Sequence, residues 1–330
     1  MRWGILGPGR IARSFLNGLA GSGTESAVAV GSRDLGRAKA VAEEFGIPRA
    51  HGSYEELIAD EAVEAVYVAL PNALHAPWSI AAARAGRHVL CEKPLGVTAA
   101  EAEAMFTAAR EHGVRLMEAF MYRFHPRTLA LAESVAAGEI GEVRLVRSSF
   151  GFTIADTANV RLSADLAGGA LMDVGCYAVN AARMLAGPPA AVAATARWAG
   201  TGVDETLAGT LDHAGGAVSQ VSCSLVSSHH QTLQVIGSDG MIDVPDAFTP
   251  APDRPAVLRV TRGARHGQTE ERGFPPTDEY TAEAEAFAAL VAAGHGADLP
   301  QVPLAESLDN AATIEALLRS ARDEERVVLR

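Results

Sequence analysis

The chain has 330 residues, of which 48% are hydrophobic and 21% are charged, and its formal net charge is -12. At roughly 150 residues per domain, this length predicts two domains. The negative charge disfavours nucleic acid and anionic membranes as partners, because both are bound through clusters of Lys and Arg. Without an apolar run of about 18 residues or a signal-peptide pattern, we expect a cytoplasmic protein. Cys91, Cys176 and Cys223 are too widely spaced to predict a disulfide framework or a metal site.

The first third of the chain alternates short apolar runs with Ala-rich helical segments, as a parallel sheet with helices on both faces does. The predicted strands are 3–6, 27–30, 63–70, 88–90 and 114–119, and two of the predicted helices are 38–45 and 77–85. This pattern predicts a doubly wound α/β domain over residues 1–120.

The remainder, residues 121–330, has a different pattern. It begins with a predicted helix at 126–137, a strand at 143–150 and a helix at 169–185. Four strand patterns then follow with no helix between them, at 191–198, 218–226, 232–236 and 257–260. Successive strands favour a mostly antiparallel sheet and thus an α+β domain. Two helices, 281–293 and 304–322, close the pattern, and 250–255 and 263–276 are predicted loops.

A glycine-rich turn follows the first predicted strand. The stretch Gly7-Pro8-Gly9-Arg10-Ile11-Ala12 has the spacing of a dinucleotide-binding turn and opens a predicted helix. The glycines let backbone amides approach a pyrophosphate, and the helix amino terminus adds partial positive charge. We therefore predict that Gly7, Gly9, Arg10 and Ile11 bind a nicotinamide dinucleotide.

The end of the second predicted strand indicates which dinucleotide is bound. An Asp or Glu at this point normally holds the ribose 2′-hydroxyl of NAD, whereas this strand ends in Ser32 and Arg33. A hydroxyl and a guanidinium suit a 2′-phosphate, which a carboxylate would repel. We predict NADP, with NAD as the alternative because Asp34 follows in what resembles a turn or helix cap.

Two further strand ends carry polar residues that suit the nicotinamide side of the sheet. The strand at 63–70 ends in Leu70-Pro71-Asn72, and His75 follows. We predict cofactor contacts from Leu70, Pro71, Asn72 and His75, although a capping role explains Asn72 equally well.

The stretch Glu92-Lys93-Pro94 ends the strand predicted at 88–90. Pro94 interrupts the strand, and Thr98 and Glu101 have the capping-box spacing of a helix start. Lys93 thus lies at the carboxyl end of a parallel strand, where ligands bind in open α/β sheets. We predict a role for Lys93 in chemistry and for Glu92 and Lys93 in cofactor binding; a solvated surface lysine is the alternative.

The helix predicted at 169–185 carries a polar stripe. Asp173, Tyr177 and Asn180 stand at i, i+4 and i+7, on a different face from the apolar residues. Such a stripe needs polar partners, which are either structural hydrogen bonds or a ligand. Together with Lys93 and the glycine-rich turn, it favours a face directed at the substrate.

These motifs resemble the glucose-fructose oxidoreductase, inositol dehydrogenase and rhizopine catabolism family, called Gfo/Idh/MocA. The resemblance covers nearly the whole chain, through residues 7–12, 71–75, 91–94, 118–126 and 169–177. It implies an amino-terminal Rossmann domain over residues 1–120. It also implies a substrate-binding domain over residues 121–330 with an open mixed sheet that often builds oligomers, so we expect a homodimer or homotetramer.

Within the family, the chain is most similar to NADP-dependent xylose dehydrogenases, dihydrodiol dehydrogenases and sugar ketoreductases. Inositol dehydrogenases carry His where this chain has Tyr177. The resemblance implies that Lys93 and Tyr177 transfer protons and that Asp173 orients a sugar-like substrate. It also implies that Arg123, His125 and Arg161, together with Asp173 and Tyr177, bind that substrate. The alternatives are an NAD-dependent inositol or nucleotide-sugar dehydrogenase and a non-catalytic NADP-binding sensor.

Overall fold

A computed structural model describes residues 1–263, 267–294 and 299–329 of the chain. It contains two compact units. The first comprises Met1–Gly96, Ala100–Phe124 and Asp278–Leu304, and the second comprises the residues between and after these segments. The first unit therefore adds a segment from late in the sequence to the predicted domain 1–120.

A parallel sheet of six described strands forms the centre of the first unit. The strands are β1 (Arg2–Leu6), β2 (Ser26–Gly31), β3 (Arg49–His51), β4 (Ala65–Val68), β5 (His88–Glu92) and β6 (Leu116–Ala119). Their order is β3-β2-β1-β4-β5-β6, and every neighbouring pair is parallel. The predicted Rossmann sheet is confirmed. Its order reverses between β1 and β4, where such sheets bind ligands at the carboxyl ends of the strands.

Helices connect the strands and follow the apolar periodicity of the sequence. In the described chain they are α1 (Arg10–Gly21), α2 (Leu35–Phe45), α3 (Tyr54–Ala59), α4 (His75–Arg84), α5 (Ala99–Glu111), α6 (Pro126–Ala136), α7 (Cys176–Ala186), α8 (Glu279–Ala293) and α9 (Leu304–Asp323). None of these helices is both long enough and apolar enough to cross a membrane.

An aromatic cluster anchors the core of the first unit. Phe15 of α1 stacks on Tyr67 of β4 with ring centroids 3.9 Å apart, and it meets Trp3 of β1 edge to face at 5.2 Å. Phe287 of α8 packs against Trp3 at 5.5 Å. All four rings are buried. Burial of large apolar side chains, each worth about 1.5 to 3 kcal/mol, explains why α8 belongs to this unit.

The second unit contains a mixed sheet of nine described strands. They are β7 (Val143–Thr153), β8 (Pro189–Trp198), β9 (Asp204–His213), β10 (Val218–Ser224), β11 (Val226–Gly237), β12 (Gly240–Pro245), β13 (Ala256–Arg262), β14 (Gln268–Phe274) and β15 (Val327–Val328). The order is β14-β13-β12-β11-β7-β10-β9-β8-β15. Only β7 and β10 pair in parallel among these described strands, so the predicted mostly antiparallel mixed sheet is confirmed.

Two local predictions were wrong. The predicted loop 263–276 contains the edge strand β14, whose residues are mostly polar or charged and mostly exposed, so no apolar alternation marks it; residues 264–266 lie outside the described residues. The predicted helix 169–185 is not α-helical throughout, because Leu171–Gly175 form a π-helical turn before α7 begins. Turns of this kind often occur at functional sites.

Candidate active site

The turn after β1 has the geometry that a dinucleotide needs. Gly7 has φ +93°, and a Cβ there would lie 2.8 Å from the carbonyl oxygen of Ala69, so glycine is required by the fold. Gly9 has an ordinary φ of -80°, and a Cβ there meets no atom of the described chain within 4 Å. The chain itself does not require glycine at this position, but close approach of a pyrophosphate does. Arg10 begins α1, and Arg10 is exposed whereas Ile11 is half-buried.

The residues after β2 differ in exposure. Ser32 is buried, and its hydroxyl accepts a hydrogen bond from the amide of Asp34 at 3.1 Å. Arg33 is exposed. Asp34 caps α2, since one carboxylate oxygen accepts from the amides of Gly36 and Arg37 at 2.8 and 3.2 Å. A carboxylate committed to a helix cap is less suited to a ribose hydroxyl, and Arg33 remains the exposed cation at this strand end.

The turn after β5 is held by two buried carboxylates. The amide of Lys93 donates to Oε2 of Glu92 at 3.2 Å, and the amide of Leu95 donates to Oε1 of Glu118 at 2.9 Å. Both carboxylates are at most 7% exposed. The backbone of Lys93 is therefore fixed at the carboxyl end of β5, and its side chain is half-buried.

His75 holds the same turn from α4. One ring nitrogen lies 2.8 Å from the carbonyl oxygen of Pro94, and the other lies 2.8 Å from that of Leu70. The ring is completely buried. A direct contact between His75 and a cofactor would have to break one of these two interactions. The other residues predicted at this edge, Pro71 and Asn72, are half-buried, and Leu70 is buried.

A second buried acid lies near Glu92. The hydroxyl of Tyr67 donates a short hydrogen bond to Oε1 of Glu92, and burial together with the charges of Glu92 and Glu283 raises the pKa of Tyr67. Glu283 of α8 is fully buried, and neither carboxyl oxygen has a hydrogen-bond partner among the described residues. Burial raises the pKa of Glu283 well above its usual range, and Glu92 adds to the rise. We therefore treat Glu283 as a neutral acid.

In the second unit, the structure brings two of the predicted substrate residues together. Asp173, in the π-helical turn, accepts a hydrogen bond from Nε of Arg161 at 2.6 Å. The guanidinium of Arg161 also lies 6.0 Å from the ring centroid of Phe152. The pair is partly accessible, with the Asp173 side chain 12% and the Arg161 side chain 30% exposed. It offers both a donor and an acceptor to a hydroxylated ligand.

Tyr177 packs in an aromatic cluster. Its ring centroid lies 5.6 Å from that of Phe150 and 5.4 Å from that of Phe248, and the two phenylalanines stack at 5.7 Å. Tyr177 and Phe248 are 4% and 0% exposed. Because both phenylalanine rings pack against the phenol ring of Tyr177, they limit the orientations that it can take.

The loop that carries Phe248 is fixed by two buried side chains. The guanidinium of Arg127 donates to the carbonyl oxygens of residues 245, 246 and 247 at 2.7 to 3.0 Å. The side-chain oxygen of Gln231 accepts from the amides of Phe248 and Thr249, both at 2.9 Å. These bonds hold Phe248 against Tyr177 and give the fully buried Arg127 a structural role.

A buried aspartate lies at the start of the helical segment that carries Asp173 and Tyr177. Oδ2 of Asp204 accepts from the amide of Leu171 at 2.7 Å, and the side chain is 1% exposed. Burial raises the pKa of Asp204 to about 6, although the hydrogen bond from Leu171 acts in the opposite direction. Gly169 has φ +118°, and a Cβ there would lie 2.2 Å from Oδ1 of Asp204, so glycine is needed beside the carboxylate.

His125 and Arg123 have different surroundings. The ring of His125 caps α6, because Nδ1 accepts from the amide of Arg127 at 3.1 Å. Burial, with the charge of Arg127, lowers the pKa of His125 to about 4, so the ring is a neutral acceptor. A residue that is buried and committed to a cap is poorly placed to contact substrate. Arg123 is half-buried in the short turn Met121–Phe124.

The sequence reasoning did not identify Phe150, Phe248, Arg127, Gln231 and Asp204 as site residues. Each contacts the Tyr177 segment or its supporting loop from a distant part of the sequence, and no local motif marks these contacts.

No group of three or more His, Cys, Asp or Glu residues in 1–263, 267–294 and 299–329 is arranged to hold a metal ion.

Comparison with known proteins agrees with both units. Residues 1–120 match the oxidoreductase family with an NAD-binding Rossmann fold, and residues 128–243 match the GFO/IDH/MocA C-terminal domain. The chain is 45% identical over 323 residues to D-xylose 1-dehydrogenase (NADP(+)) 2 of Haloferax volcanii, which covers 97% of each chain. It is 41% identical over 256 residues to trans-1,2-dihydrobenzene-1,2-diol dehydrogenase of Mus musculus, which covers 76% of each chain.

A similar solved structure is that of KijD10, a 3-ketoreductase from Actinomadura kijaniata in complex with NADP and TDP-benzene. The TM-score is 0.89 at 32% identity, over 97% of each chain. Structures of that ketoreductase also include a variant in which a tyrosine is replaced by phenylalanine and one in which a lysine is replaced by alanine.

Proposed function

The chain belongs to the Gfo/Idh/MocA oxidoreductase family, and we propose that it is an NADP-dependent enzyme that oxidises or reduces a sugar or sugar-like diol. When bound, NADP supplies the hydride chemistry, which interconverts a carbinol and a carbonyl carbon. The observation that carries the proposal is at one edge of the parallel sheet, where the open Gly9 turn follows β1 and the fixed backbone of Lys93 follows β5, with β4 between these two strands.

The cofactor site is proposed from the residues at that edge. Gly7, Gly9, Arg10 and Ile11 would hold the pyrophosphate, because no side chain of the described chain caps the start of α1. Ser32 and Arg33 would hold the 2′-phosphate of NADP. The xylose dehydrogenase from Haloferax is named for NADP, and the ketoreductase from Actinomadura was solved with it, in agreement with the predicted cofactor.

We assign the remaining contacts to strand ends on the same edge. Leu70, Pro71 and Asn72 follow β4, Glu92 is the last residue of β5 and Lys93 follows it; β4 and β5 are adjacent in the sheet. Parallel strands end on the same side, so these residues suit the nicotinamide half of the cofactor.

In the proposed chemistry, Lys93 and Tyr177 act as one proton-transfer unit. The phenol of Tyr177 would give or take the proton of the substrate oxygen, and the ammonium of Lys93 would stabilise the phenolate. Asp173, oriented by Arg161, would accept a hydrogen bond from a substrate hydroxyl. Arg161 and Arg123 complete the proposed substrate contacts, and Arg161 has the stronger structural support; the predicted contact of His125 is not retained, because its ring is buried and caps α6.

A screen of aldoses, ketosugars and diols with NADP and with NAD tests this function. The absorbance of the reduced cofactor is the readout, and we expect turnover of at least one aldose or diol with preference for NADP. Inositols are included as a further substrate class, and turnover of inositols with NAD alone would favour the inositol dehydrogenase alternative. NADP binding without turnover of any of these substrates would favour the sensor.

We also propose that the protein is a cytoplasmic homodimer or homotetramer that associates through the open face of the second sheet. This face carries short polar side chains, in which the hydroxyl of Ser222 donates to Ser149 at 2.8 Å and those of Thr206 and Ser224 lie 2.8 Å apart. Ala208 is exposed among them. A flat face of small residues suits close packing against a second copy. Ala208→Arg should convert the oligomer to a monomer in light scattering; a wild-type monomer would contradict the proposal.

A further inference from the structure

The ring of His75 has an unusual pair of partners. Nδ1 lies 2.8 Å from the carbonyl oxygen of Pro94, and Nε2 lies 2.8 Å from that of Leu70. A carbonyl oxygen can only accept, so each contact is a hydrogen bond only if the facing nitrogen carries a proton. A neutral imidazole has one N–H, whereas an imidazolium has two. Only the charged ring satisfies both carbonyl oxygens.

Burial opposes the charged ring. Burial and the charge of Lys93 act to lower the pKa of His75, whereas the hydrogen bonds to the two carbonyl oxygens act to raise it. A neutral ring, however, would direct a nitrogen lone pair at a carbonyl oxygen only 2.8 Å away. Two such dipoles repel each other, and a buried acceptor would be left without a donor. A neutral ring would move away from one carbonyl oxygen to relieve this repulsion. The observed ring instead lies 2.8 Å from both carbonyl oxygens.

The turn that His75 contacts carries charges of both signs. The turn that His75 contacts is held by Glu92 and Glu118, which are both buried and accept from backbone amides. Lys93 is the opposing cation on this turn. Burial raises the pKa of Cys91 on β5, so its thiol stays neutral.

We propose that His75 is a positioning residue that carries protons on both ring nitrogens and, as an imidazolium, ties Leu70 at the end of β4 to the Lys93–Pro94 turn after β5. The ring thus joins the segment expected to contact the cofactor to the segment expected to transfer protons. This positioning role rests on the proposed function, whereas the charge of the ring does not.

The chain contains a matched control. His213 is also buried, with Nδ1 2.7 Å from the carbonyl oxygen of Gly187 and Nε2 2.7 Å from the hydroxyl of Ser219. A hydroxyl can donate as well as accept, so a neutral ring satisfies both partners. Burial lowers the pKa of His213. This histidine should therefore carry a single proton where His75 carries two.

The protonation state can be read directly from the full-length protein. With ¹⁵N-labelled histidine, NMR spectra at pH 6.5 should show a proton on both ring nitrogens of His75 and on one nitrogen of His213. The variants His75→Gln and His213→Gln assign the signals. If His75→Gln does not fold, neutron diffraction from wild-type crystals locates the same protons. A ring of His75 with one unprotonated nitrogen overturns the proposal.

The pH dependence of stability gives an independent test with opposite signs for the two histidines. If folding raises the pKa of His75 by one unit, the advantage of wild type over His75→Gln is complete below pH 6.5. Between pH 5 and pH 8.5 this advantage, expressed as a ratio of folding equilibrium constants, falls about ninefold. The advantage over His213→Gln should instead be lost as the pH falls below 6.5. An advantage over His75→Gln that grows from pH 5 to 7 overturns the charged ring.

Activity tests the positioning role separately. His75→Gln should lower kcat at least tenfold and also weaken NADP binding, since it releases both segments, whereas His213→Gln should change neither. A His75→Gln enzyme with wild-type kcat and NADP affinity overturns the positioning role. If no sugar is turned over by wild type, the proposed function fails, and the NMR and stability results still decide the charge of His75.

Discussion

The buried carboxylate of Asp204 should make the stability of the protein depend on pH. The variant Asp204→Asn keeps the shape of the side chain and an oxygen that can accept from Leu171, but it removes the charge. Burial raises the pKa of Asp204 from 3.8 to about 6 in the folded protein. Because the folded state binds this proton more tightly, the contribution of Asp204 to stability is greatest at low pH and is lost as the pH rises through 6.

The shift of about two pKa units corresponds to about 3 kcal/mol between the two extremes of pH. Over the accessible range from pH 5 to 7.5, the free energy of unfolding of wild type, relative to Asp204→Asn, should fall by about 1.4 kcal/mol. Urea unfolding of both proteins at matched pH values measures this difference. A difference that does not change with pH, or that grows in favour of wild type as the pH rises, would refute the reasoning. The amides at the start of the helical segment would then hold the pKa of Asp204 down.

Other substitutions test the cofactor site. Arg33→Ala should weaken the affinity for NADP at least tenfold, or by about 1.5 to 3 kcal/mol, and leave the affinity for NAD nearly unchanged in titrations, because only NADP has the 2′-phosphate. Equal losses of affinity for both cofactors would exclude the contact. The control variant is Arg37→Ala, on the exposed part of α2. Gly9→Ala should weaken NADP without lowering the melting temperature, because its Cβ meets only open space. Gly7→Ala should destabilise the fold by about 1 to 3 kcal/mol, because its φ is positive and its Cβ approaches Ala69. Similar melting temperatures for the two glycine variants would contradict this distinction.

Much of the first unit could be predicted because its information is local. Buried parallel strands are short apolar runs, and the turn that follows β1 requires glycine at Gly7 for a backbone reason. The carboxyl ends of parallel strands lie together, so the position of Lys93 follows from the strand that precedes it. The family resemblance rests on the same local motifs.

The residues that the sequence did not reveal are fixed by long-range contacts. Asp204 reaches Leu171 across 33 positions, and Phe248 packs on Tyr177 from a loop 71 positions away. The strand β14 has exposed, charged residues, so it lacks the alternation that identifies a strand. The π-helical turn at Asp173 has no periodic signal, because one turn of five residues is too short to change the pattern of the helix.

The central claim is that Lys93 and Tyr177 form one proton-transfer unit in an NADP-dependent sugar oxidoreductase. A double-mutant cycle on kcat/KM tests it most directly, with Tyr177→Phe, Lys93→Met and the double variant assayed on the best substrate of the screen. Each single change should lower kcat/KM by about 10² to 10⁴, and the double variant should be far less impaired than the product of the two effects. Tyr177→Phe should bind NADP as wild type does. Multiplicative losses, or near-normal turnover of Tyr177→Phe, would contradict the account.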